Sequence, residues 1–192
     1  MLDYTGLLGK IIAHIVSRVP EFAHVDPSRI LVAFAQTRRT GGHGTRARLV
    51  PLRFQGGART KRSRGRTWRM PTIEVNGREM LYVVFFFLPR FCDLSLEDKL
   101  TTIFHELYHI SPDFDGDVRR FPGRTWQHGS SRKAYDARLR KCVTAYLAGG
   151  VPDEWLEPLR LRFAALRQRY GAITGTRLRQ PRPMLDRGAR KC

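Results

Sequence analysis

The sequence has no hydrophobic run long enough to cross a membrane as a helix. Its longest apolar stretch, residues 80–88, ends at Pro89 and Arg90, far short of the ~20 residues that a spanning helix needs. Residues 1–6 also lack the basic segment and small-residue cleavage site of a secretory signal peptide. We therefore expect no membrane partner.

Cysteine is scarce. The 192-residue chain holds three cysteines, Cys92, Cys142 and Cys192. An odd number of cysteines at wide spacing forms neither a disulfide framework nor the C-x-x-C pairs of a zinc ribbon. This usage is typical of a reducing compartment, and it predicts a cytoplasmic protein.

Acidic residues are missing from one long segment. From residue 38 to residue 73 the chain has eleven basic residues, six glycines and no acid. The whole chain has 35 Lys and Arg, 29 of them Arg, against 17 Asp and Glu, which gives a formal net charge of +18. Arginine makes forked contacts with phosphate, and a surface this positive attracts polyanions. We expect DNA or another nucleic acid as a partner, with these contacts: Arg59, Lys61, Arg62, Arg64 and Arg66.

Two interpretations of the Gly- and Arg-rich segments stay open. They are either flexible, solvated loops whose charge keeps the protein soluble, or an arm that follows a phosphate backbone. In the second case Trp68 is available to stack on a base. Neither segment is a P-loop, because the pattern G-x-x-x-x-G-K-[ST] is absent.

The hydrophobic pattern predicts one helix followed by strands. Apolar residues repeat at helical spacing over 8–19 and stop at Pro20. Short apolar stretches predict strands at 29–35 and 49–54. Two more strands, 70–75 and 79–88, flank Asn76-Gly77, a dipeptide typical of a type I′ hairpin. The strand at 79–88 is apolar on both faces, so we expect it to be covered on both sides.

Three amphipathic helices are predicted after the hairpin, with apolar stripes over 96–107, 135–146 and 155–170. Ser95 and Asp98 are spaced like a capping pair at the start of the first. The order of elements predicts an α+β fold with an N-terminal helix and a small, mainly antiparallel sheet. We expect a single domain over 1–172, with a basic Gly/Arg-rich insertion at about 37–67 and a basic, disordered tail at 173–192.

One motif carries chemistry. His105-Glu106-Leu107-Tyr108-His109 is H-E-x-x-H within the strongest predicted helix. A spacing of four puts both imidazoles on one helix face, where they can bind a single cation, and neutral imidazole is a standard Zn²⁺ ligand. Glu106 can reach a metal-bound water as general base without being a ligand. The alternative is a surface helix that carries two histidines by chance.

Two histidines leave a zinc site incomplete, because catalytic zinc usually takes three protein ligands plus water. We prefer His128 as the third ligand, since it is the one histidine downstream of the motif and Gly129 frees the turn before the next helix. Acidic residues remain as alternatives: Asp113, Asp115, Asp117, Asp136 and Glu154.

Together these residues resemble a minimal zincin metallopeptidase. The hairpin, the H-E-L-Y-H helix, the connecting loop and the H-G-S-S-R-K-A-Y-D segment at 128–136 are most similar to SprT-like (Spartan-type) proteases and to predicted phage-type metallopeptidase domains. The likeness is specific over 95–147 and architectural over 5–88. It maps onto His105, Glu106, His109 and His128. The gap before His128 is longer than in the SprT-like pattern, and the C-terminal cysteine zinc ribbon is absent.

The resemblance implies a zinc-dependent enzyme that hydrolyses peptide bonds in a protein or peptide substrate, acting near nucleic acid. In zincins the substrate lies along an exposed sheet edge, which the strand near 82–88 would supply or adjoin. Tyr135 is a candidate for stabilising the transition state, although its place in an apolar stripe favours a core role. Tyr108, Arg119 and Arg120 are the alternatives, although two adjacent arginines are more often a solvated pair. Two rival hypotheses remain: a non-catalytic nucleic-acid-binding protein with a structural zinc site, and a phage or mobile-element accessory protein that binds proteins without cutting them.

Overall fold

A computed structural model of the chain describes residues 1–37, 44–120 and 132–187, apart from the side chains of 132–136. Its α-helices are α1 (Tyr4–Arg18), α2 (Leu96–Tyr108), α3 (Arg132–Ala148), α4 (Asp153–Arg160) and α5 (Phe163–Tyr170). Its strands are β1 (Leu2–Asp3), β2 (Ile30–Gln36), β3 (Ala47–Pro51), β4 (Thr60–Ser63), β5 (Arg66–Arg69), β6 (Glu74–Val75), β7 (Arg78–Glu79), β8 (Tyr82–Leu88), β9 (Ile173–Thr174) and β10 (Met184–Leu185). The predicted α+β fold class is confirmed.

The centre of the fold is a three-stranded sheet in the order β2–β8–β3. Strand β8 lies in the middle, parallel to β2 and antiparallel to β3. Its sequence, YVVFFFL, is apolar throughout, and every residue except the half-buried Phe87 is buried. The prediction that this strand is covered on both faces is therefore confirmed. Because β8 has a neighbour on each side, it adjoins both edges of the sheet, and among the described residues these edges are β2 and β3.

Hydrophobic clusters cover both faces of this sheet. Tyr82, Val84 and Phe86 of β8 belong to the larger cluster, which joins one face to the helices. Val83 and Phe85 point the other way, into a smaller cluster. Partly buried side chains from irregular segments close this second face: Met70, Ile73 and Leu178. The helical face packs α2 against the sheet.

The hairpin at Asn76-Gly77 is present but is much shorter than predicted. Asn76 and Gly77 have φ of 52° and 74°, as a type I′ turn requires, and they join only β6 and β7. After one more bond, from Met80 N to Ile73 O at 2.8 Å, the chain leaves the hairpin. The apolar residues that follow bury more surface between β2 and β3 than a two-stranded hairpin could cover.

The helix predicted over 155–170 is two helices, so three helices rather than two follow α2. The backbone is extended at Leu161 (φ −82°, ψ 142°), and Pro158 lies inside α4, where its ring opposes continuation of the helix. Lys99 of α2 satisfies the carbonyls at the break, because its Nζ donates to Leu159 O at 2.5 Å and to Leu161 O at 2.9 Å. This buried cation had no signal in the sequence.

Residues 173–187, which the sequence predicted as part of a disordered tail, pair with the rest of the domain. Strand β9 lies parallel to β1, and β10 lies antiparallel to β5. Phe34 N donates to Thr176 O at 3.0 Å, and the Arg177 guanidinium lies 4.8 Å from the Phe34 ring. Apolar and aromatic partners on the sheet thus hold a segment whose charge alone favoured disorder. Residues 188–192 lie outside the described part of the chain.

The described helices and cysteines bear on the absence of a membrane span and on the state of the thiols. None of the helices there is long and apolar enough to cross a membrane. Cys92 is a buried free thiol, and Cys142 is a half-buried one. The predicted helix at 8–19 and the predicted strand at 29–35 are present as α1 and β2.

Candidate active site

Helix α2 is anchored from its first turn. Ser95 Oγ accepts from Asp98 N at 3.1 Å and donates to Asp98 Oδ2 at 2.8 Å, so the predicted capping pair is confirmed. Leu100, Ile103 and Leu107 have no exposed surface, which packs one side of the helix into the core. The motif residues lie in the last turns, on a side offset from this stripe.

The two motif histidines meet at their Nε2 atoms. His105 and His109 are half-buried, their Nε2 atoms lie 3.0 Å apart, and their rings are inclined at 83°. Two nitrogen ligands of one zinc ion, each at ~2.0–2.1 Å and at the tetrahedral angle, lie about 3.3 Å apart. The pair is therefore close to the spacing of two ligands of one cation, and the donor chemistry fits zinc.

Arg119 holds the end of α2. The helix ends at Tyr108, and His109 keeps helical backbone angles (φ −71°, ψ −11°), so its ring stays in line with His105. The side chain of Arg119 donates from Nε to Tyr108 O at 2.9 Å, and its backbone N–H donates to His109 O at 2.7 Å. Its guanidinium also lies 4.4 Å from the centre of the Tyr108 ring. A cation here also complements the negative end of the helix dipole.

Glu106 is the buried acid of the site. Its residue exposure is 8%, and its Oε2 accepts from Leu49 N of the edge strand β3 at 2.6 Å. Burial raises the pKa of Glu106 to about 7, while the Leu49 hydrogen bond and the charge of Arg48 pull that pKa down. A carboxyl group with such a pKa accepts and releases protons readily near neutral pH.

A cleft of about 470 Å³ opens beside the motif, between α2, the start of β3 and α3. Ala47 of β3 and Arg140 of α3 line it opposite Thr102, His105 and Glu106 of α2. Its volume lies within the range of ligand-binding clefts. The cleft gives a substrate access to one histidine and to the buried acid together.

The described residues leave the third metal ligand open. Among them, no group of three or more His, Cys, Asp or Glu side chains comes together as a cation site. His128 and the side chain of Asp136 lie outside the described part of the chain. Four other candidates lie within it, and the structure does not bring them together with the histidine pair: Asp113, Asp115, Asp117 and Glu154.

The loop that follows α2 uses its acids for its own structure. Asp117 is buried and accepts from Arg120 Nε and Nη2 at 3.0 and 2.9 Å and from Gly56 N at 3.2 Å. Tyr82 OH donates to Asp117 O at 2.8 Å and accepts from Gly116 N at 3.0 Å. These bonds fix residues 116 and 117 of the loop against the start of β8 and the segment at Gly56.

Helix α3 carries the candidate for transition-state stabilisation. Tyr135 lies in its first turn, with its side chain outside the described residues. Leu139, Val143 and Tyr146 of the same predicted stripe are buried. The role of Tyr135 in catalysis stays a prediction.

The basic residues at 59–66 are not part of the cleft. Strands β4 and β5 form an antiparallel hairpin there, and residues 60–66 are all exposed. Arg59 differs from the rest, because its guanidinium contacts both carboxylate oxygens of Glu79 at 3.3 Å. The other predicted contacts make no ion pair with the described residues: Lys61, Arg62, Arg64 and Arg66.

A family model described as "Putative phage metallopeptidase" matches residues 7–141, and the chain belongs to this family. The family supports a metallopeptidase-like domain for this α+β fold. Membership indicates a metal-dependent peptidase that acts on proteins or peptides and uses a divalent metal, typically zinc. No match was found among curated proteins or among solved structures.

Sequence reasoning missed two contributions to the site. The first is Leu49 N, which carries no side-chain signal because a backbone N–H belongs to any residue at that position of an edge strand. The second is the position of Arg119, which the sequence suggests only as a candidate donor to transition-state charge and which the structure places on the carbonyl groups at the end of α2. The antiparallel bridge between Ile110 and Val118 returns the chain to that helix end.

Proposed function

We propose that this protein is a zinc-dependent metallopeptidase of the zincin type, with His105, His109 and His128 as metal ligands and Glu106 as general base. One observation carries the proposal: the Nε2 atoms of the two motif histidines lie 3.0 Å apart, and one of them, His105, lines a cleft together with the buried Glu106. When bound, zinc would supply a polarised water and a Lewis acid for the peptide carbonyl.

Glu106 takes a proton from the attacking water and passes it to the leaving amine in this proposal. Its pKa of about 7, raised by burial, makes the carboxylate basic enough to accept that proton and acidic enough to release it. The bond from Leu49 N holds Oε2 in place and leaves Oε1 for the transfer. Glu106 is thus oriented before substrate arrives, which lowers the cost of reaching the reactive geometry.

The edge strand β3 is the proposed docking site of the substrate. All residues of β3 lie opposite residues of β8. In an antiparallel pair only alternate residues exchange backbone hydrogen bonds, and here these are Arg48 and Val50. The backbone N–H and C=O groups of Ala47 and Leu49 therefore point away from β8. Ala47 lines the cleft beside His105 and Glu106. A peptide added as a strand along Ala47 would bring its backbone to the motif, as in other cases of strand addition.

Association with nucleic acid is the second part of the proposal. Lys61, Arg62, Arg64 and Arg66 are exposed cations on one hairpin, and the chain carries a net charge of +18. Such a surface attracts polyanions through counterion release. We propose that this hairpin brings the peptidase to proteins that lie on nucleic acid.

Replacement of Glu106 by Gln tests the catalytic proposal. We expect Glu106→Gln to retain zinc and to lose peptide cleavage by roughly 100- to 10,000-fold, because a general base contributes about that much. Zinc content is measured by elemental analysis, and cleavage is followed on a denatured protein or a peptide library. Glu97→Gln is the matched control, since Glu97 is an exposed residue of the same helix.

The outcomes separate the proposal from its rival, a nucleic-acid-binding protein with a structural zinc site. Unchanged cleavage in Glu106→Gln contradicts the role of the base. A wild-type protein that holds zinc, binds nucleic acid and cleaves no substrate supports the structural site. Purified wild-type protein that cannot bind zinc contradicts both hypotheses.

A further inference from the structure

The hairpin β4–β5 is a part of the molecule that the peptidase chemistry does not use. Its strands pair from Thr60 opposite Arg69 to Ser63 opposite Arg66. It turns at Arg64 and Gly65, with φ of 49° and 71°, as in a type I′ turn whose twist matches that of the strands. Because residues 60–66 are all exposed, the hairpin projects from the domain. We call residues 60–69 the basic ribbon.

A third strand supports only the base of the basic ribbon. Strand β10 pairs with β5 at Trp68 and Arg69, and Asp186 N donates to Thr67 O at 2.8 Å. From Thr67 toward the turn, the described part of the ribbon consists of β4 and β5 alone. The ribbon is thus anchored where it leaves the domain and is narrow where it meets solvent.

Positive charge lies on both faces of the basic ribbon. Strand alternation places Arg62 and Arg69 on one face. Lys61 and Arg66 lie on the opposite face, and Arg64 is at the turn. Residues 60–69 include no acid. A partner that surrounds the ribbon with negative charge therefore complements it better than a flat anionic surface, which would meet only one face.

The dimensions of the basic ribbon select among polyanions. The major groove of B-DNA is about 12 Å wide and admits a two-stranded ribbon, whereas that of A-form RNA is too narrow for side chains to read. Four residues in a strand extend about 13 Å, which exceeds the ~8.5 Å depth of the B-DNA groove. The tip can therefore reach the base edges while cations on its two faces meet phosphates of both groove walls.

Single-stranded nucleic acid matches the ribbon less well. Sequence-tolerant binding of single strands depends on exposed aromatic rings on which bases stack. The ribbon carries one aromatic ring, that of the half-buried Trp68. Its cross-strand neighbours are Lys61 on one side and Leu185 on the other, so no second ring continues the platform.

We propose that the basic ribbon inserts into the major groove of double-stranded DNA, an inference that rests on the proposed association with nucleic acid and specifies its geometry. Arg62 and Arg66 contact phosphates on opposite walls of the groove, and Arg64 at the turn is closest to the base edges. The bidentate guanidinium suits the O6 and N7 atoms of guanine.

The test measures binding of the full chain to labelled nucleic acids by fluorescence anisotropy over a series of salt concentrations. The probes are a short DNA duplex, an RNA duplex of the same sequence and the corresponding single DNA strand. The variant combines Arg62→Ala, Arg64→Ala and Arg66→Ala. The matched control removes three exposed arginines elsewhere, Arg162→Ala, Arg167→Ala and Arg179→Ala, so both proteins lose the same charge. Circular dichroism checks that both fold.

We expect the DNA duplex to bind about tenfold more tightly than either other probe, a difference in the range of one good base contact. The slope of log K against log salt should fall by about 1.8 in the ribbon variant, or about 0.9 for each of the two lost phosphate contacts, and by much less in the control. Methyl green, which occupies the major groove, should displace the protein, and netropsin, which occupies the minor groove, should not.

Equal affinity for the three probes, equal slopes for the ribbon variant and its control, or displacement by netropsin alone would each overturn the major-groove inference. The association with nucleic acid would survive those results. Absence of any binding by the wild-type protein would overturn the association and the inference together. Peptide cleavage is a separate assay, so neither result depends on the peptidase proposal.

Discussion

Helix α2 and the basic ribbon hold their charged side chains in opposite ways. Ile103 and Phe104 of α2 have no exposed surface, and the helix is packed against the sheet and its neighbouring helices. The ribbon residues at 60–66 are all exposed, and they are held by a turn and by cross-strand pairs. The proposed hydrolysis needs reacting groups kept in a fixed geometry, whereas the proposed contact with a phosphate backbone needs exposed positive charge that extends from the domain.

Two charged side chains of α2 are buried, whereas those of the basic ribbon are exposed. On α2, Lys99 is buried against two carbonyl oxygens and Glu106 against one N–H group. Buried charges are costly unless hydrogen bonds compensate them, so these two residues respond strongly to pH and to mutation. The ribbon cations Lys61, Arg62 and Arg66 are exposed, so they respond to salt.

The largest expected effect comes from truncating an aromatic side chain in the packed region. Phe104 has no exposed surface, and its ring centre lies 5.5 Å from that of Phe22 and 5.7 Å from that of Tyr146. We expect Phe104→Ala to lower the free energy of unfolding by about 3–5 kcal/mol. Urea unfolding followed by circular dichroism measures the loss.

Trp68→Ala is the matched change in the basic ribbon. The Trp68 side chain is half-buried, and we expect its truncation to cost about 1 kcal/mol or less, because far less apolar surface returns to water. A loss as large as that of Phe104→Ala would mean that the ribbon is part of the core. The comparison between the two regions would then fail.

The second prediction concerns the third ligand of the proposed metal site, for which the described residues supply no group. We expect His128→Ala to weaken zinc binding by about 100-fold or more, because a bound zinc worth ~10–16 kcal/mol owes roughly 3 kcal/mol to each ligand. Competition with a fluorescent chelator measures the affinity. Asp113→Asn is the control, since Asp113 does not join the histidine pair. Normal affinity in His128→Ala with a loss in Asp136→Asn would assign the ligand to Asp136.

The sequence predicted the α2 region well because its signals are local. Ser95, the apolar stripe and the i, i+4 histidines each act within a few residues along one helix, and the structure places them as expected. The turn at Asn76-Gly77 was predicted for the same reason. Local chemistry of this kind does not depend on where distant segments lie.

Long-range choices were predicted less well. Residues 79–88 were expected to remain in a hairpin, but β8 is buried between β2 and β3. The partners of a strand depend on which arrangement buries the most apolar surface, and that competition involves the whole chain. The buried position of Lys99 and its bonds to the carbonyls between α4 and α5 likewise depend on packing rather than on its neighbours in sequence.

The third prediction uses the buried cation of α2. Burial lowers the pKa of Lys99 to about 8 from its usual value of 10.5. Above pH 8 the folded protein therefore holds fewer protons at this site than the unfolded chain, and stability rises with pH. A single group contributes up to about 1.4 kcal/mol per pH unit. Cys92 has an opposite effect only above pH 9, because burial raises its pKa from 9.0 to about 11.

Between pH 8 and 9 the wild-type free energy of unfolding should therefore rise relative to that of Lys99→Met, which lacks the titrating group. Lys61→Met is the control in the basic ribbon, because Lys61 is exposed, and it should follow the wild-type curve. Denaturant unfolding at closely spaced pH values gives the comparison. Parallel curves for wild type and Lys99→Met would contradict the assignment.

The smallest expected effects are opposite changes in the free energy of unfolding when a glycine of the basic ribbon and a glycine of a packed helix are each replaced by alanine. Gly65 at the ribbon turn has φ of 71°, and Gly9 lies inside the packed helix α1. A Cβ added at either position meets no atom within 4 Å, so only backbone preference decides the outcome.

Gly65→Ala should lower the free energy of unfolding by about 1 kcal/mol, because a Cβ disfavours the left-handed region. Gly9→Ala should raise it by about 0.5–1 kcal/mol, because alanine restricts the unfolded chain and favours helix. Thermal unfolding of the wild-type protein and of both variants measures the two changes in the free energy of unfolding. If Gly65→Ala left the global free energy unchanged while speeding amide exchange at residues 60–69, the ribbon would open independently of the core, and the two regions would differ in cooperativity as well as in exposure.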